Sequence, residues 1–423
     1  MKRILSCLLL VCLLLAGCAA EQGGTSGGTS VTPEDIGATD LLMPIKKEDV
    51  IVTGVERPYE ALMTSLGLRM FQETLKADPD GENKLISPLS VLYAMAMVSN
   101  GADDQEAVKA YWGYDLLHIN EYMYEYMSKL PVGEKYKLQL ANSIWFTEDE
   151  RFTVNREFLQ KVKNHYDADA YQAPFDEKTL GDINEWVELK TDGMIKDILD
   201  QIPYDAVMYL VNALAFEAEW LSTYEEAQVR EGVFTKADGT EQKVDFMYDS
   251  VSRYFEDENA TGFMRYYSGM KYAFVAMLPK EGVTPEEYIA SLDGNALHTM
   301  LKNPQVTSVV TSIPVFEAEY DADLRSILGN AGYPVDSTFN GVGTSTEGDI
   351  FIGRILHKTY IQVGPQGTKA GAATVVEMNT GCAEDIEQEK PKEVHLDRPF
   401  VYMIIDCENA VPLFIGVQNN VGK

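Results

Sequence analysis

The sequence predicts an α+β protein: a mainly helical amino-terminal half, then a strand-rich carboxy-terminal half, with a domain large enough to need an extensive sheet or several layers. Three observations carry this reading. Apolar residues recur at helical spacing through the first half, whereas short runs of Tyr, Phe and Val dominate the second. Neither an internal repeat nor a second linker breaks the chain after residue 56. An apolar content of 45%, with 10% aromatic residues, suffices for an extensive core and excludes global disorder.

At the amino terminus, Lys2 and Arg3 precede the apolar run ILSCLLLVCLLLAG, and residues 1–17 read as a signal peptide. The run is too short to cross a bilayer comfortably. LAGC, ending at Cys18, resembles the lipobox of bacterial lipoproteins. That resemblance implies an exported protein, lipidated on Cys18 and anchored to a membrane at the bacterial cell surface or envelope. A plain signal peptide ending in Ala-Gly-Cys is the alternative. Residues 18–55 include AEQGGTSGGTSVTPEDIGATD and read as a flexible Gly/Ser/Thr-rich tether. Residues 56–423 read as one large domain.

Without residues 1–17 the chain keeps 33 basic and 66 acidic residues, a formal charge of −33. Such a surface repels nucleic acid and anionic membranes, so no nucleic-acid partner is expected. Three cysteines remain, Cys18, Cys382 and Cys407, and their spacing offers neither a disulfide framework nor a CxxC metal or redox motif.

YEALMTSLGLRMFQETLKA places Leu62, Leu66, Met70, Phe71 and Leu75 on one helical face. SPLSVLYAMAMVSNGA opens with Ser87 as N-cap and Pro88 at the first helical position. It is apolar nearly all round and reads as a buried helix. DINEWVELKTDGMIKDIL predicts a helix from Asp182 to about Lys190 that ends near Gly193. The strands follow: YLVNALAF, YAFVAMLP, VTSVVTSIPVFEAEY, KTYIQV, FVYMIID and PLFIGVQ. Several are apolar on both faces, as in a covered sheet.

Enzyme chemistry is hard to find. The sequence holds no HExxH, GxSxG, P-loop or dinucleotide fingerprint. Its five histidines, His118, His165, His298, His357 and His395, share no motif with a Ser or Cys nucleophile. No catalytic set, metal site or cofactor is expected, and the many carboxylates read as solvated surface.

One stretch fits neither strand nor ordinary loop. In IQVGPQGTKAGAATVVEM, the residues Gly367, Thr368, Lys369, Ala370, Gly371, Ala372, Ala373 and Thr374 have almost no bulk. Extended, the segment puts Thr368, Ala370, Ala372, Thr374 and Val376 on one face, small or β-branched and uncharged. Lys369 and Glu377 fall on the other. Such a segment could be a strand but lacks the side chains that would hold it in one place.

From about Tyr59 to Gly416 the chain resembles the serpin family. The resemblance lies in NKLISPLSV, LANSIWF, INEWVELKTDGMIKDIL, LVNALAFEAEW, HKTYIQV, GTKAGAAT, LDRPFVYMIID and PLFIGVQ. It implies the serpin fold with an exposed reactive-centre loop, and residues 367–374 as that loop's hinge. It further implies a monomer that traps a target protease as a covalent acyl complex and has no catalytic residues of its own. The family's count places the reactive bond at Gly381–Cys382, with Thr380–Gly381 and Cys382–Ala383 as neighbours, since the loop before Pro399 is longer than usual. Small residues before the bond suit elastase-like, subtilisin-like or papain-like proteases. Ser87, Ser90, Asn212 and His357 match the family's polar cluster beneath the sheet where it opens. About fourteen inserted residues would gain on the order of 15–30 kcal/mol of ladder hydrogen bonding before entropy, and would carry a protease roughly 45 Å.

The chain departs from the family in three places. Glu217, Ala218 and Glu219 stand where Lys-Gly-Lys is usual before Trp220. Pro365 replaces a Glu two residues before the hinge glycine, and Lys369 replaces the Glu after the hinge threonine. Pro365 and the long loop keep a second reading open: a non-inhibitory serpin-fold surface binding protein whose loop is only a substrate.

Overall fold

The computed structural model describes residues 37–53, 58–203, 206–368 and 390–421. Among the described residues of the first half there are six helices: α1 (Tyr59–Ala77), α2 (Pro88–Ser99), α3 (Gln105–Trp112), α4 (Leu116–Lys129), α5 (Arg156–His165) and α6 (Glu177–Lys190). The Ser87 hydroxyl caps α2 by accepting the Ser90 N–H, and every residue of α2 is buried. Gly67 lets α1 lie close against it, since a Cβ there would stand 2.6 Å from the Cβ of Pro88. Helix α6 starts at Glu177, earlier than its apolar pattern predicts, because the Asp176 carboxylate accepts the Thr179 N–H and nucleates the turn ahead of the first buried face.

Seven strands form the central sheet: β1 (Thr39–Asp40), β2 (Tyr136–Thr147), β3 (Asp169–Ala173), β4 (Met208–Glu219), β5 (Phe316–Asp323), β6 (Leu356–Gly364) and β7 (Gly367–Thr368). Their spatial order is β1-β3-β2-β4-β7-β6-β5. A second, nine-stranded sheet contains Tyr272–Pro279, Phe400–Asp406 and Val411–Gln418 among its central strands. The run VTSVVTSIPVFEAEY is two strands, not one. Gln305–Pro314 joins the nine-stranded sheet and Phe316–Asp323 the seven-stranded one. Pro314 has no N–H to continue a ladder, so the chain changes sheets there.

Alternation sorts the central sheet's side chains between two cores. Leu214, Phe216 and Ala218 of β4 join the main core beneath α1 and α2. Tyr209, Val211 and Ala213 face the other way, onto Ile183, Trp186 and Val187 of α6 and Ile195, Ile198 and Leu199 of the loop after it. Helix α6 therefore lies across the sheet.

The tether predicted for residues 18–55 is corrected over its last part. Thr39 and Asp40 pair with Gln172 and Tyr171 at the sheet edge, and Leu42 and Ile45 are buried in the main core. Two apolar side chains and an open strand edge hold this stretch down against the entropy of a free chain.

Candidate functional site

The segment expected to be the hinge is described at Gly367 and Thr368, which close a hairpin. Strand β6 runs to Gly364, Pro365 and Gln366 make the turn, and Gly367–Thr368 returns antiparallel between β6 and β4. Pro365 thus occupies the first central turn position, where its fixed φ is an advantage and its missing N–H costs nothing. The carbonyls of this turn are all held: Trp220 Nε1 donates to Gly364 O at 2.8 Å, the Tyr224 N–H to Pro365 O at 3.0 Å, and the Trp220 N–H to Gln366 O at 2.9 Å. Gly367 has φ +152°, and a Cβ there would collide with the carbonyl oxygen of Ala218. Only glycine fits.

Thr368 is fully buried, and its Oγ1 lies 2.5 Å from the Tyr267 hydroxyl. Tyr267 stacks on Trp220 with ring centroids 4.5 Å apart. Arg265 then braces the stack. Its guanidinium lies over Tyr224 at 4.1 Å and Trp220 at 5.3 Å, pairs with Asp249 at 2.9 Å, and donates to the Ser222 carbonyl.

Below the hinge the sheet is split. Strands β4 and β6 pair directly only at Val211–Leu356, Asn212–His357 and Ala213–Lys358. Residues 214–217 and 359–362 form no ladder with one another. The offset between the strands is nonetheless the same at both ends of the split, because Thr368 pairs with both Ala218 and Val363. The gap is in register for one antiparallel strand.

The polar cluster sits at the closed end. Ser87, Ser90, Asn212 and His357 are all buried, as is Asn142, which the sequence reading missed. Asn142, Asn212 and His357 stand in one row across β2, β4 and β6. The Ser87 N–H donates to His357 Nε2 at 3.1 Å, and Ser90 Oγ donates to the Ser87 carbonyl at 3.2 Å. Asn212 Nδ2 donates to Asn142 Oδ1. With Nε2 accepting, the imidazole proton sits on Nδ1, which has no protein partner, and neither has Asn212 Oδ1. Burial depresses the His357 pKa to about 3, so the ring is neutral.

The structure thus brings Gly367 and Thr368 into the sheet and gathers Ser87, Ser90, Asn212 and His357 beneath it. Cys18, Lys369, Ala370, Gly371, Ala372, Ala373, Thr374, Gly381 and Cys382 lie outside the described residues. Asn142 had a signal in sequence, a lone amide in the apolar run LANSIWF. Tyr267 and Arg265 had none, since their partners are remote in the chain.

Comparison with known proteins agrees with this architecture. The model for serpins, serine protease inhibitors, matches residues 61–421. A serpin-like protein of Thermococcus kodakarensis is 27% identical over 99% of both chains. The crystal structure of the thermophilic serpin tengpin in its native state superposes with a TM-score of 0.84 at 39% identity, covering 91% of this chain and all of that one. Tengpin in its latent state gives 0.76 at 36% identity, with 88% of this chain and all of that one covered. The chain belongs to the serpin family.

Proposed function

We propose that this protein is a suicide-substrate inhibitor of serine (elastase-like or subtilisin-like) or cysteine (papain-like) endopeptidases. The observation that carries the reading is the two-residue strand Gly367–Thr368 at the head of a split sheet. Continued one residue at a time, its register would set Lys369 between Glu217 and Gln362, Ala370 between Phe216 and Ile361, and Ala372 between Leu214 and Thr359. Thr374 would reach Asn212 and His357. The alternate positions 370 and 372 would enter between side chains that already fill the core, so they must be small. Four residues can enter before any existing pairing breaks. The Ala213–Lys358 pairing is then the first to open, and Asn212–His357 the next.

In this reading a protease nucleophile attacks the Gly381 carbonyl, forms an acyl bond, and expels the amine of Cys382. Insertion follows faster than deacylation, and the protease is carried to the far end of the sheet. The unpartnered His357 Nδ1–H and Asn212 Oδ1, one donor and one acceptor, are groups that a moving sheet can re-pair. The turn geometry of Pro365 removes one argument for a non-inhibitory binding protein. We further propose that the protein works as an exported monomer anchored by lipid on Cys18 in a bacterial envelope.

The test is to mix the purified chain with one protease of each class and run a denaturing gel. The expected result is a complex that survives denaturation and a released peptide starting at Cys382. Clean cleavage without a complex by all three would leave the loop as a substrate and favour the binding-protein reading.

A further inference from the structure

A cavity of about 350 Å³ opens between the carboxy-terminal half of α4, strand β2 and the end of α5. Small-molecule sites fall between about 300 and 1,000 Å³. Alternation along β2 turns Leu138, Leu140 and Asn142 to the same side, and all three line the cavity. Met127 of α4 and Leu130 just beyond it complete the apolar wall. Met127, Leu130, Leu138 and Leu140 are only partly buried, so the core does not fully cover them.

The deep end is polar. Tyr93 of α2 is 2% exposed and Asn142 is 4% exposed, yet both line the cavity. Asn142 Oδ1 is taken by Asn212, whereas Asn142 Nδ2 has no hydrogen-bond partner among the described residues. The Tyr93 hydroxyl has none either. Neither atom is sealed inside the protein, so both donors are open to a molecule in the cavity. Burial, with Asp167 nearby, pushes the Tyr93 pKa well up, so the phenol keeps its proton.

The charges at the rim select a class of ligand. Lys47 and Asp167 are exposed there, and their charges cancel. Burial lowers the pKa of His165, the remaining ionisable group at the rim, so its ring is neutral near pH 7. Asp167 lies close enough to the Tyr93 hydroxyl to act on it, so an anion bound at that hydroxyl would be repelled. A neutral carbonyl accepts from both donors without that cost, and an amide N–H can donate to a carboxylate. We propose that the cavity binds a neutral aliphatic amide, its carbonyl oxygen on Asn142 Nδ2 and the Tyr93 hydroxyl, its N–H toward Asp167, its chain along Met127, Leu130, Leu138 and Leu140. This site does not depend on the inhibitory mechanism.

The experiment is equilibrium dialysis of the purified chain with radiolabelled octanamide, repeated with octanoate. One saturable site per chain is expected, with octanoate bound about tenfold more weakly. Tyr93→Phe, which keeps the ring, should weaken octanamide by about fivefold, the loss of one neutral hydrogen bond. Asp167→Asn, at an exposed position that leaves the core untouched, should weaken octanamide and strengthen octanoate. Val306→Ser, at an exposed apolar position on the other sheet, should change neither. Binding that does not saturate, that Tyr93→Phe leaves intact, or that Val306→Ser reduces equally would show only diffuse apolar attraction. Equal affinities for amide and anion, unmoved by Asp167→Asn, would exclude an amide site. Either result overturns the proposal.

Discussion

The hydroxyls of Thr368 and Tyr267, 101 residues apart in sequence, lie 2.5 Å from each other in a fully buried site. This contact fixes the point at which the hinge enters the sheet. It also fixes which face of the following residues would turn inward, and the first prediction rests on it.

Under the proposed function, Thr368→Arg should leave the loop a substrate and abolish inhibition. The side chain would have to be buried without a partner beside Tyr267, at a cost of several kcal/mol. Cleavage of the loop should proceed while the denaturation-resistant complex falls by roughly tenfold or more on a gel. Thr368→Val, close in shape, should retain most of the complex.

Two departures from the family's pattern form a matched pair in this register. Glu217 faces Lys137 of β2 on its other side, and the proposed insertion would bring Lys369 beside it. Lys369→Glu should slow complex formation through like-charge repulsion, worth roughly 0.2–1 kcal/mol for directly opposed residues. Adding Glu217→Lys should recover part of the rate. A double-mutant cycle on the inhibition rate measures the coupling, and additive effects would rule this pairing out.

His357 should make stability depend on acidity. Its folded-state pKa of about 3 lies below the ordinary 6.5, so the unfolded chain binds a proton that the folded ring refuses. This contribution is complete above pH 6.5 and is lost as pH falls toward 3. The slope within that window approaches about 1.4 kcal/mol per pH unit. Urea unfolding of the wild type and His357→Asn across this range should show a flatter profile for the variant.

Arg265 is nearly buried and pairs with Asp249 while bracing Trp220 and Tyr224. Arg265→Met should destabilise the protein by about 3 kcal/mol, because Asp249 is left without its partner. Adding Asp249→Asn should restore part of that loss. The hinge amides of Gly367 and Thr368 should exchange with deuterium faster in the single variant, since the residues that hold the turn carbonyls lose their support.

Leu42→Ala should lower the urea midpoint, with a loss of about 2 kcal/mol for a buried leucine. Met43→Ala, at 82% exposure, should leave it unchanged. Equal, negligible effects would restore the free tether for this stretch.

Local chemistry was legible in the sequence wherever it was decisive. Ser87-Pro88 fixed the start of α2, and the apolar runs fixed Tyr272–Pro279 and Phe400–Asp406. The same reasoning did not place Pro365 in a hairpin turn, because a proline there and one that ends a strand look alike until the return strand is seen. It also took Thr39–Ile45 for tether, because two apolar side chains in polar sequence give no sign of the strand edge and core they meet.

The sequence by itself determined the α+β class, the helices α1, α2 and α6 and the main apolar strands, since propensity, capping and alternation act within a few residues. The tertiary structure alone decided where the hinge docks and how the sheet is split. It aligned Asn142, Asn212 and His357 in one row, and it put Arg265 and Tyr267 behind the turn. Those relations depend on strand register and on side chains brought together from distant parts of the chain, and no local pattern encodes them.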